Sequence, residues 1–172
     1  MQRRGFTIVE LIIVITIIGI LLTLAVVNVN STQLNARDNE RKSDIESLSL
    51  AFEDFYTNGN DNTLPGTYPS TAITSDVANT VTMATFEGNV DIKTLLAPGA
   101  TDNDYKSLIS ATNTVQTTTG VTPQPDATHY VYQPLQSDGS LCILISTDCR
   151  KYNLYYFSES DNTVNKVKSK NQ

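Results

Sequence analysis

Histidine and cysteine are scarce in this sequence: its 172 residues include one histidine, His129, and two cysteines, Cys142 and Cys149. A single histidine excludes a histidine-rich metal centre. The chain also lacks a glycine-rich phosphate-binding loop, a G-x-S-x-G nucleophile motif and an EF-hand calcium loop. These absences predict a protein that is not an enzyme and that needs no cofactor.

Basic residues are also few, with 12 lysines and arginines against 18 aspartates and glutamates, for a formal net charge of −6. Without Arg3 and Arg4, which precede the first apolar segment, the balance is 10 minus 18, or −8. Phosphate binding needs a basic face, so nucleic acid is not indicated as a partner. The basic tail formed by Lys166, Lys168 and Lys170 is predicted to be a solvated end of the chain.

Charge is almost absent from residues 6–27, and no proline occurs before Pro65. As a helix, these 22 mostly aliphatic residues would span about 33 Å, which matches a hydrocarbon core of roughly 30 Å. Arg3 and Arg4 precede the segment, and no further charge follows it until Arg37. The positive-inside rule therefore predicts one membrane crossing with the N-terminus in the cytoplasm and the remainder outside.

Two simpler explanations of this segment are weaker. A secretory signal peptide has an apolar stretch of about 7–15 residues and a small-residue cleavage site, whereas this run is longer and residues 25–28 are Ala-Val-Val-Asn. An uncleaved signal anchor fits the length and the flanks but leaves Glu10 unexplained. A carboxylate at the bilayer centre costs about 2.5–3.5 kcal/mol on insertion scales, and less near the edge.

An ionisable side chain within a membrane segment indicates a function and calls for a partner of opposite charge. For Glu10 the natural partner is a new α-amino group at Phe6, made by a cut after Gly5 and supplied by a neighbouring subunit. A carboxylate–ammonium pair buried among helices is costly to leave half-made. It would therefore act as a register device during assembly.

Residues 3–11, Arg-Arg-Gly-Phe-Thr-Ile-Val-Glu-Leu, resemble the cleavage and methylation motif of type IV pilins and pseudopilins. Gly5 matches the glycine that ends the leader, Phe6 the first residue of the mature chain, and Glu10 the glutamate at its fifth position. The resemblance covers about the first 25 residues closely and the following helix loosely. One departure is Val27, where many family members carry a proline, so the resemblance does not extend to the kink associated with that proline.

The resemblance implies a sequence of events. A membrane aspartyl prepilin peptidase cuts between Gly5 and Phe6 on the cytoplasmic side and methylates the new amino group of Phe6. The apolar helix holds the subunit in the membrane until an inner-membrane assembly platform extracts it. In the homo-oligomeric filament, Glu10 neutralises the Phe6 amine of an adjacent subunit.

The helix is predicted to continue to about residue 56, a length of roughly 75 Å. Asn58 and Gly59 supply its stop signal. An apolar stripe recurs at three- and four-residue steps, interrupted by one arginine. Its members are Leu34, Arg41, Ile45, Leu48, Phe52 and Phe55. A charged group between them is interpreted as a solvated face. It comprises Arg37, Asp38, Glu40, Arg41 and Lys42.

The rest of the chain predicts an antiparallel β-meander packed on the amphipathic half of the helix, an α+β fold. Residues 60–128 are rich in Thr, Asn and Asp, with a short helix over 89–97 and a loop over 117–125. Period-two patterns predict strands at 130–132, 141–145 and 152–157, and a last one through Val164 and Val167. Asp138-Gly139 is a hairpin turn signal.

Cys142 and Cys149 are seven positions apart. If this part of the chain lies outside the cytoplasm, the pair predicts a disulfide. It also resembles the C-terminal disulfide loop of many pilins, although those loops are often longer. The acidic stretches at residues 102–104 and 158–162 are interpreted as turns rather than calcium ligands.

The predicted organisation is a leader (1–5), a transmembrane and polymerisation helix (6–27), its amphipathic half (28–58), a variable connecting region (59–128) and a β-meander with the disulfide (129–172). The leading hypothesis is a structural subunit of a type IV pilus, serving adhesion, motility or DNA uptake. It would reside in the cytoplasmic membrane before assembly and outside the cell afterwards. The alternatives are a pseudopilin of a type II secretion system in the periplasm, and a monomeric membrane-anchored binding domain that keeps its leader.

Overall fold

A single long helix forms the spine of the protein. The computed structural model describes residues 6–59, 65–74, 85–86, 90–100, 107–144 and 148–171. Helix α1 spans Ile8–Asn58, and its 51 residues extend about 77 Å. It ends at Gly59, whose φ of 70° favours glycine and whose N–H donates to the Phe55 carbonyl at 2.7 Å. The predicted stop at residues 58–59 is confirmed.

The two halves of α1 have different surroundings. Residues 6–24 are exposed throughout, although most of them are aliphatic. From Leu34 onward one stripe faces the body of the protein, and four of its side chains are at most 4% exposed. These are Ile45, Leu48, Phe52 and Phe55. The amphipathic pattern of this half is therefore confirmed.

A four-stranded sheet packs against that half of the helix. Its strands are β1 (Leu108–Ser110), β2 (Tyr130–Gln136), β3 (Cys149–Ser158) and β4 (Thr163–Lys168), in the order β1-β2-β3-β4. Strand β1 pairs with β2 in parallel, and the other pairs are antiparallel. The α+β, pilin-like architecture is confirmed, but the sheet is mixed rather than a pure meander.

The predicted strand at residues 141–145 is wrong for the part that the structure describes, residues 141–144. Leu141 forms only an isolated bridge with Leu135, and the N–H of Cys142 donates to the Pro134 carbonyl at 3.1 Å. The turn signal itself is confirmed, because Gly139 has a φ of 88° and its N–H donates to the Gln136 carbonyl. The partner of β2 is instead β3, whose first residue is Cys149.

Strand β1 was not predicted from the sequence. It is three residues long and lies in the polar connecting region, where no alternation marks it. The predicted helix at 89–97 is reduced to one 3-10 turn, Ile92–Leu95, capped by the Asp91 side chain; Asn89 lies outside the described residues. The predicted loop at 117–125 contains no helix or strand.

The main core lies between α1 and the sheet, and Phe52 is at its centre. The Phe52 ring is stacked on Tyr132 with centroids 4.5 Å apart, and it contacts the rings of Tyr152 at 5.0 Å and Phe86 at 5.3 Å. Such aromatic pairs add to the stabilisation from burial. This cluster attaches the helix to the body.

A second layer covers the opposite face of the sheet. The segment of residues 111–125, here called the strap, packs Val121 on Val131 and Tyr155. The amide of Gln133, which is fully buried, donates to the carbonyls of Asn113 at 2.9 Å and Val115 at 3.0 Å. Hydrogen bonds to strap carbonyls therefore satisfy a side chain that would otherwise be a costly buried amide.

Phe52→Ala should lower the free energy of unfolding by about 3–5 kcal/mol, because it removes the ring on which three other rings pack. The measurement is urea unfolding of the detergent-solubilised full chain, followed by tyrosine fluorescence. Leu50→Ala is the control. Leu50 lies on the same helix but is 63% exposed, so this substitution should lower the free energy of unfolding by no more than about 0.5 kcal/mol. Equal losses in the two variants would contradict the placement of Phe52.

Candidate functional site

The first turn of α1 is closed by a reciprocal cap between Thr7 and Glu10. The Thr7 backbone N–H donates to Glu10 Oε2 at 2.9 Å, and the Thr7 hydroxyl donates to the same oxygen at 2.8 Å. In return, the Glu10 N–H donates to Thr7 Oγ1 at 3.3 Å. This is a capping box, which the Thr-x-x-Glu spacing signals and which apolar periodicity does not reveal. Phe6 is 86% exposed beside it, and Gly5 lies outside the described residues.

No part of the chain that the structure describes covers residues 6–24 of the apolar half of α1. Among the described residues, α1 is the one helix that is long and apolar enough to cross a membrane, and none of its most apolar window is buried. Soluble monomers rarely expose a continuous apolar surface of this size. Lipid or other helices must therefore cover it.

Where α1 meets the body, four charged side chains form a cluster, here called the clasp: Arg37, Asp38, Arg41 and Glu159. The Arg37 guanidinium binds Glu159 through two bonds, Nε–Oε1 at 2.9 Å and Nη2–Oε2 at 2.7 Å. Arg41 also pairs with Glu159, and with Asp38 at 3.0 Å. Its Nη2 donates to the Ala127 carbonyl at 2.9 Å. These bonds join the helix to the turn between β3 and β4.

The prediction that residues 37–42 form a solvated face is wrong for Arg41, which is fully buried. Its position in the apolar stripe is the reason: a residue on that stripe must face the body, whatever its charge. The long arginine side chain then brings its guanidinium to the carboxylates of Asp38 and Glu159. Arg37 and Asp38 are half-buried beside it, whereas Glu40 and Lys42 are exposed as predicted.

Asp38 organises the turn that it touches. Its carboxylate accepts hydrogen bonds from the N–H groups of Glu159 and Ser160, both at 2.8 Å, and from the Ser158 hydroxyl at 2.9 Å. Burial opposes the charged form of Asp38, but the bonds from Ser160, Glu159 and Ser158 outweigh it, so the pKa lies well below its usual value. The bond from Arg37 likewise lowers the pKa of Glu159. The predicted acidic turn at 158–162 is confirmed as a turn held by Asp38.

One turn further along α1, a carboxyl group is held in the opposite way. Asp44 Oδ2 accepts the Tyr130 hydroxyl at 2.8 Å. Burial raises the pKa of Asp44 to about 7; Glu40 adds to the rise, while the Tyr130 bond and the Arg41 charge oppose it. Between pH 4 and 7 the folded state therefore binds this proton more tightly than the unfolded state does.

The far end of the helix is tied to the C-terminus through Glu53. Its carboxylate accepts the Tyr68 hydroxyl at 2.9 Å and the Lys170 backbone N–H, also at 2.9 Å. The N–H of buried Ser169 donates to the Tyr152 carbonyl at 3.0 Å. The predicted solvated tail is therefore right for the side chains of Lys168 and Lys170, which are exposed. It is wrong for the backbone, which is anchored, and for Lys166, which is half-buried.

Cys142 and Cys149 form a disulfide. Both residues are buried, and both accept backbone hydrogen bonds from the segment after the helix: the Cys142 carbonyl from Thr71 at 2.9 Å and the Cys149 carbonyl from Tyr68 at 2.8 Å. The bridge thus stands next to the connection between helix and sheet. Within the described part of the chain, no group of three or more His, Cys, Asp or Glu side chains could hold a metal ion.

The described residues thus combine an exposed apolar helix at the N-terminus with an α+β body. Residues 1–26 match the family model described as the prokaryotic N-terminal methylation motif. A segment of 56 residues is 38% identical to the type IV major pilin protein PilA of Myxococcus xanthus, covering 33% of this chain and 26% of that protein. No solved structure matches the chain with significance. Both findings are similarities to type IV pilin-type proteins over the matched segments.

Arg41→Leu should destabilise the body by about 3–5 kcal/mol, because it leaves Asp38 and part of Glu159 without the buried positive partner. The free energy of unfolding of the full chain in detergent measures the effect. Lys42→Leu is the matched control, since Lys42 is the exposed neighbour on the same helix. A small loss for Arg41→Leu, equal to that of the control, would show that the clasp does not hold the helix.

Asp44→Asn should make the protein more stable at pH 7–8 and leave it nearly unchanged near pH 4. The reason is linkage. Because the pKa of Asp44 is about 7 in the folded state and about 4 in the unfolded state, the protein loses stability as the pH rises between those values. Asparagine does not titrate, so the variant avoids this loss. Measuring the free energy of unfolding of both proteins from pH 4 to pH 8 gives the slope of stability against pH that checks this prediction. Asp54→Asn, on the exposed side of the same helix, is the control; an unchanged slope in Asp44→Asn would contradict the assignment.

Proposed function

We propose that this chain is a structural subunit of a type IV pilus filament, matured by a prepilin peptidase. The observation that carries the proposal is the coincidence of the methylation motif at residues 1–26 with a helix whose apolar residues are all exposed from 8 to 24. A polymer of such helices buries this surface against identical surfaces of other subunits. The apolar area removed from water provides the driving force for assembly.

The N-terminal residues have distinct proposed roles. Cleavage falls between Gly5 and Phe6, and the new amino group of Phe6 is the site of N-methylation. The exposed position of Phe6, just ahead of the helix, leaves this bond accessible to a membrane peptidase. The leader, residues 1–5, is then absent from the filament.

Glu10 is the proposed partner for that new amino group. Both Thr7 bonds go to Oε2, and among the described residues Oε1 accepts no hydrogen bond. The capping box thus holds the carboxylate in one orientation and leaves one oxygen for an incoming ammonium. The α-amino group of Phe6 in a neighbouring subunit supplies this ammonium. A carboxylate buried in an apolar helix bundle without such a partner would destabilise the assembly.

The domain boundaries follow from the same arrangement. Residues 6–27 cross the cytoplasmic membrane before assembly, with the N-terminus inside. Residues 28–33 are polar except for Val29 and are exposed where described; they span about 9 Å between the apolar segment and the half-buried Leu34. The amphipathic half to residue 58, the connecting region 59–128 and the sheet with its disulfide then lie outside the cytoplasm, where a disulfide persists.

Mass spectrometry of the protein from cells and from sheared surface material tests the proposal. The sheared fraction should contain a chain that begins at N-methylated Phe6. Glu10→Ala should remove this chain from the sheared fraction and leave processed protein in the membrane, because only assembly needs the carboxylate. Thr16→Ala is the matched control: Thr16 lies in the same apolar segment and bonds only to the Ile12 carbonyl of its own helix.

Each outcome has a distinct meaning. Processed protein confined to the membrane fraction of wild-type cells would favour a pseudopilin of a secretion system. A chain that keeps Arg3 and Arg4 in both fractions would overturn the filament proposal and leave a membrane-anchored binding domain. Filaments that survive Glu10→Ala would remove the assembly role of Glu10 alone.

A further inference from the structure

A groove with one acidic lining residue, Asp54, runs along the exposed side of α1 in the body. Its volume is about 650 Å³, and Phe55 and Phe86 contribute to its lining. Leu50 lies along it with 63% of its surface exposed, and Asp54 follows one turn later. Glu46 is exposed one turn before Leu50, so the three residues form a stripe at four-residue steps. We call the stripe and its lining the acidic groove.

A basic surface lies on the opposite side of the molecule. Strand pairing places Lys168 opposite Asn153 and Lys166 opposite Tyr155. Alternate residues of a strand share a face, so Lys151 on β3 lies on the same side as both lysines of β4. Lys166 Nζ already donates to the Gln116 carbonyl of the strap at 2.6 Å. The two remaining lysines, exposed Lys168 and half-buried Lys151, are called the lysine face. No described carboxylate lies within ion-pair distance of them, although the chain carries a net charge of −6.

The two surfaces cannot meet within one chain. Helix α1 packs on the face of the sheet that carries Tyr152 and Leu154, and the lysine face is the other one. A second copy of the chain can bring these lysines to the groove. Such a contact joins different surfaces of the two subunits, and contacts of this heterologous kind build open helical polymers when they do not close into a ring.

The chemistry of the two surfaces is complementary. A lysine side chain covers apolar surface with its four-carbon stem and keeps its ammonium at the polar edge. Stems laid on Leu50 would bring ammonium groups to Glu46 and Asp54, which are about 12 Å apart along the helix. Lys168 is paired with Asn153, which lies two residues from Lys151 on the adjacent strand, and the flexible stems of the two lysines cover the remaining distance.

We propose that the acidic groove of one subunit receives the lysine face of a second copy of this chain in the filament. This inference rests on the proposed filament function and names a contact between the bodies in addition to the packing of the apolar helices. Lysines on the edge strand β4 also discourage strand pairing between chains, a role that needs no acidic partner. Reversing a charge on each surface in the same variant distinguishes a lysine–carboxylate contact from protection of the sheet edge.

The experiment uses the full chain in cells that assemble sheared filaments. Lys168→Glu should lower the yield of filaments at least roughly tenfold, because it places like charges at the contact. Asp54→Lys and Glu46→Lys are expected to do the same. Combining Lys168→Glu with one of these two reversals should restore the yield to near wild type. Lys93→Glu is the control, since Lys93 is an exposed lysine outside both surfaces.

The level of processed subunit in the membrane fraction shows whether each variant folds. Where a reversal lowers that level, the neutral changes Lys168→Gln and Asp54→Asn replace it, with smaller losses expected. Filament yields that do not respond to Lys168→Glu would overturn the contact, and so would losses that neither combination restores. A wild-type chain that makes no filaments would instead overturn the proposed function itself.

Discussion

The apolar surface of the first half of α1 is the constraint on which the rest of the structure depends. Residues 6–24 expose nearly all of their aliphatic side chains, and none of the segments that the structure describes covers them. At about 25 cal/mol per Å² of apolar surface, leaving that half in water would cost more than a small domain can supply. An apolar environment, such as membrane lipid or a bundle of other helices, is one in which such a surface is stable.

The other half of α1 has to hold the entire body, and it does so at three levels. The clasp joins it to the turn between β3 and β4, the rings around Phe52 fill the middle, and Glu53 binds Tyr68 and the C-terminal backbone at the far end. The apolar packing supplies most of the free energy. The charged contacts have strict geometry, so they define how the helix is rotated and how far it is inserted against the sheet.

The differences between sequence expectation and structure share one physical origin. Arg41 belonged to the apolar stripe by spacing and to a solvated face by charge, and its pairing with Glu159, 118 positions away, decided between the two. Strand β1 exists because it pairs with β2, and three residues of polar-rich chain carry no periodic signal of their own. The stretch after Cys142 had the composition of a strand, yet β3 occupies the place beside β2. The Thr7–Glu10 cap, in contrast, is local and its spacing was present in the sequence.

By itself the sequence determined the features that depend on neighbours along the chain. These are the motif around Gly5, Phe6 and Glu10, the length and stop of the long helix, the stripe from Ile45 to Phe55, and the alternation in β2, β3 and β4. Only the tertiary structure decided which strands pair, which charges are buried, and that the acidic groove and the lysine face lie on opposite sides. The reason is that a helix or turn forms from contacts a few residues apart, whereas burial and pairing depend on segments that meet only when the chain has folded.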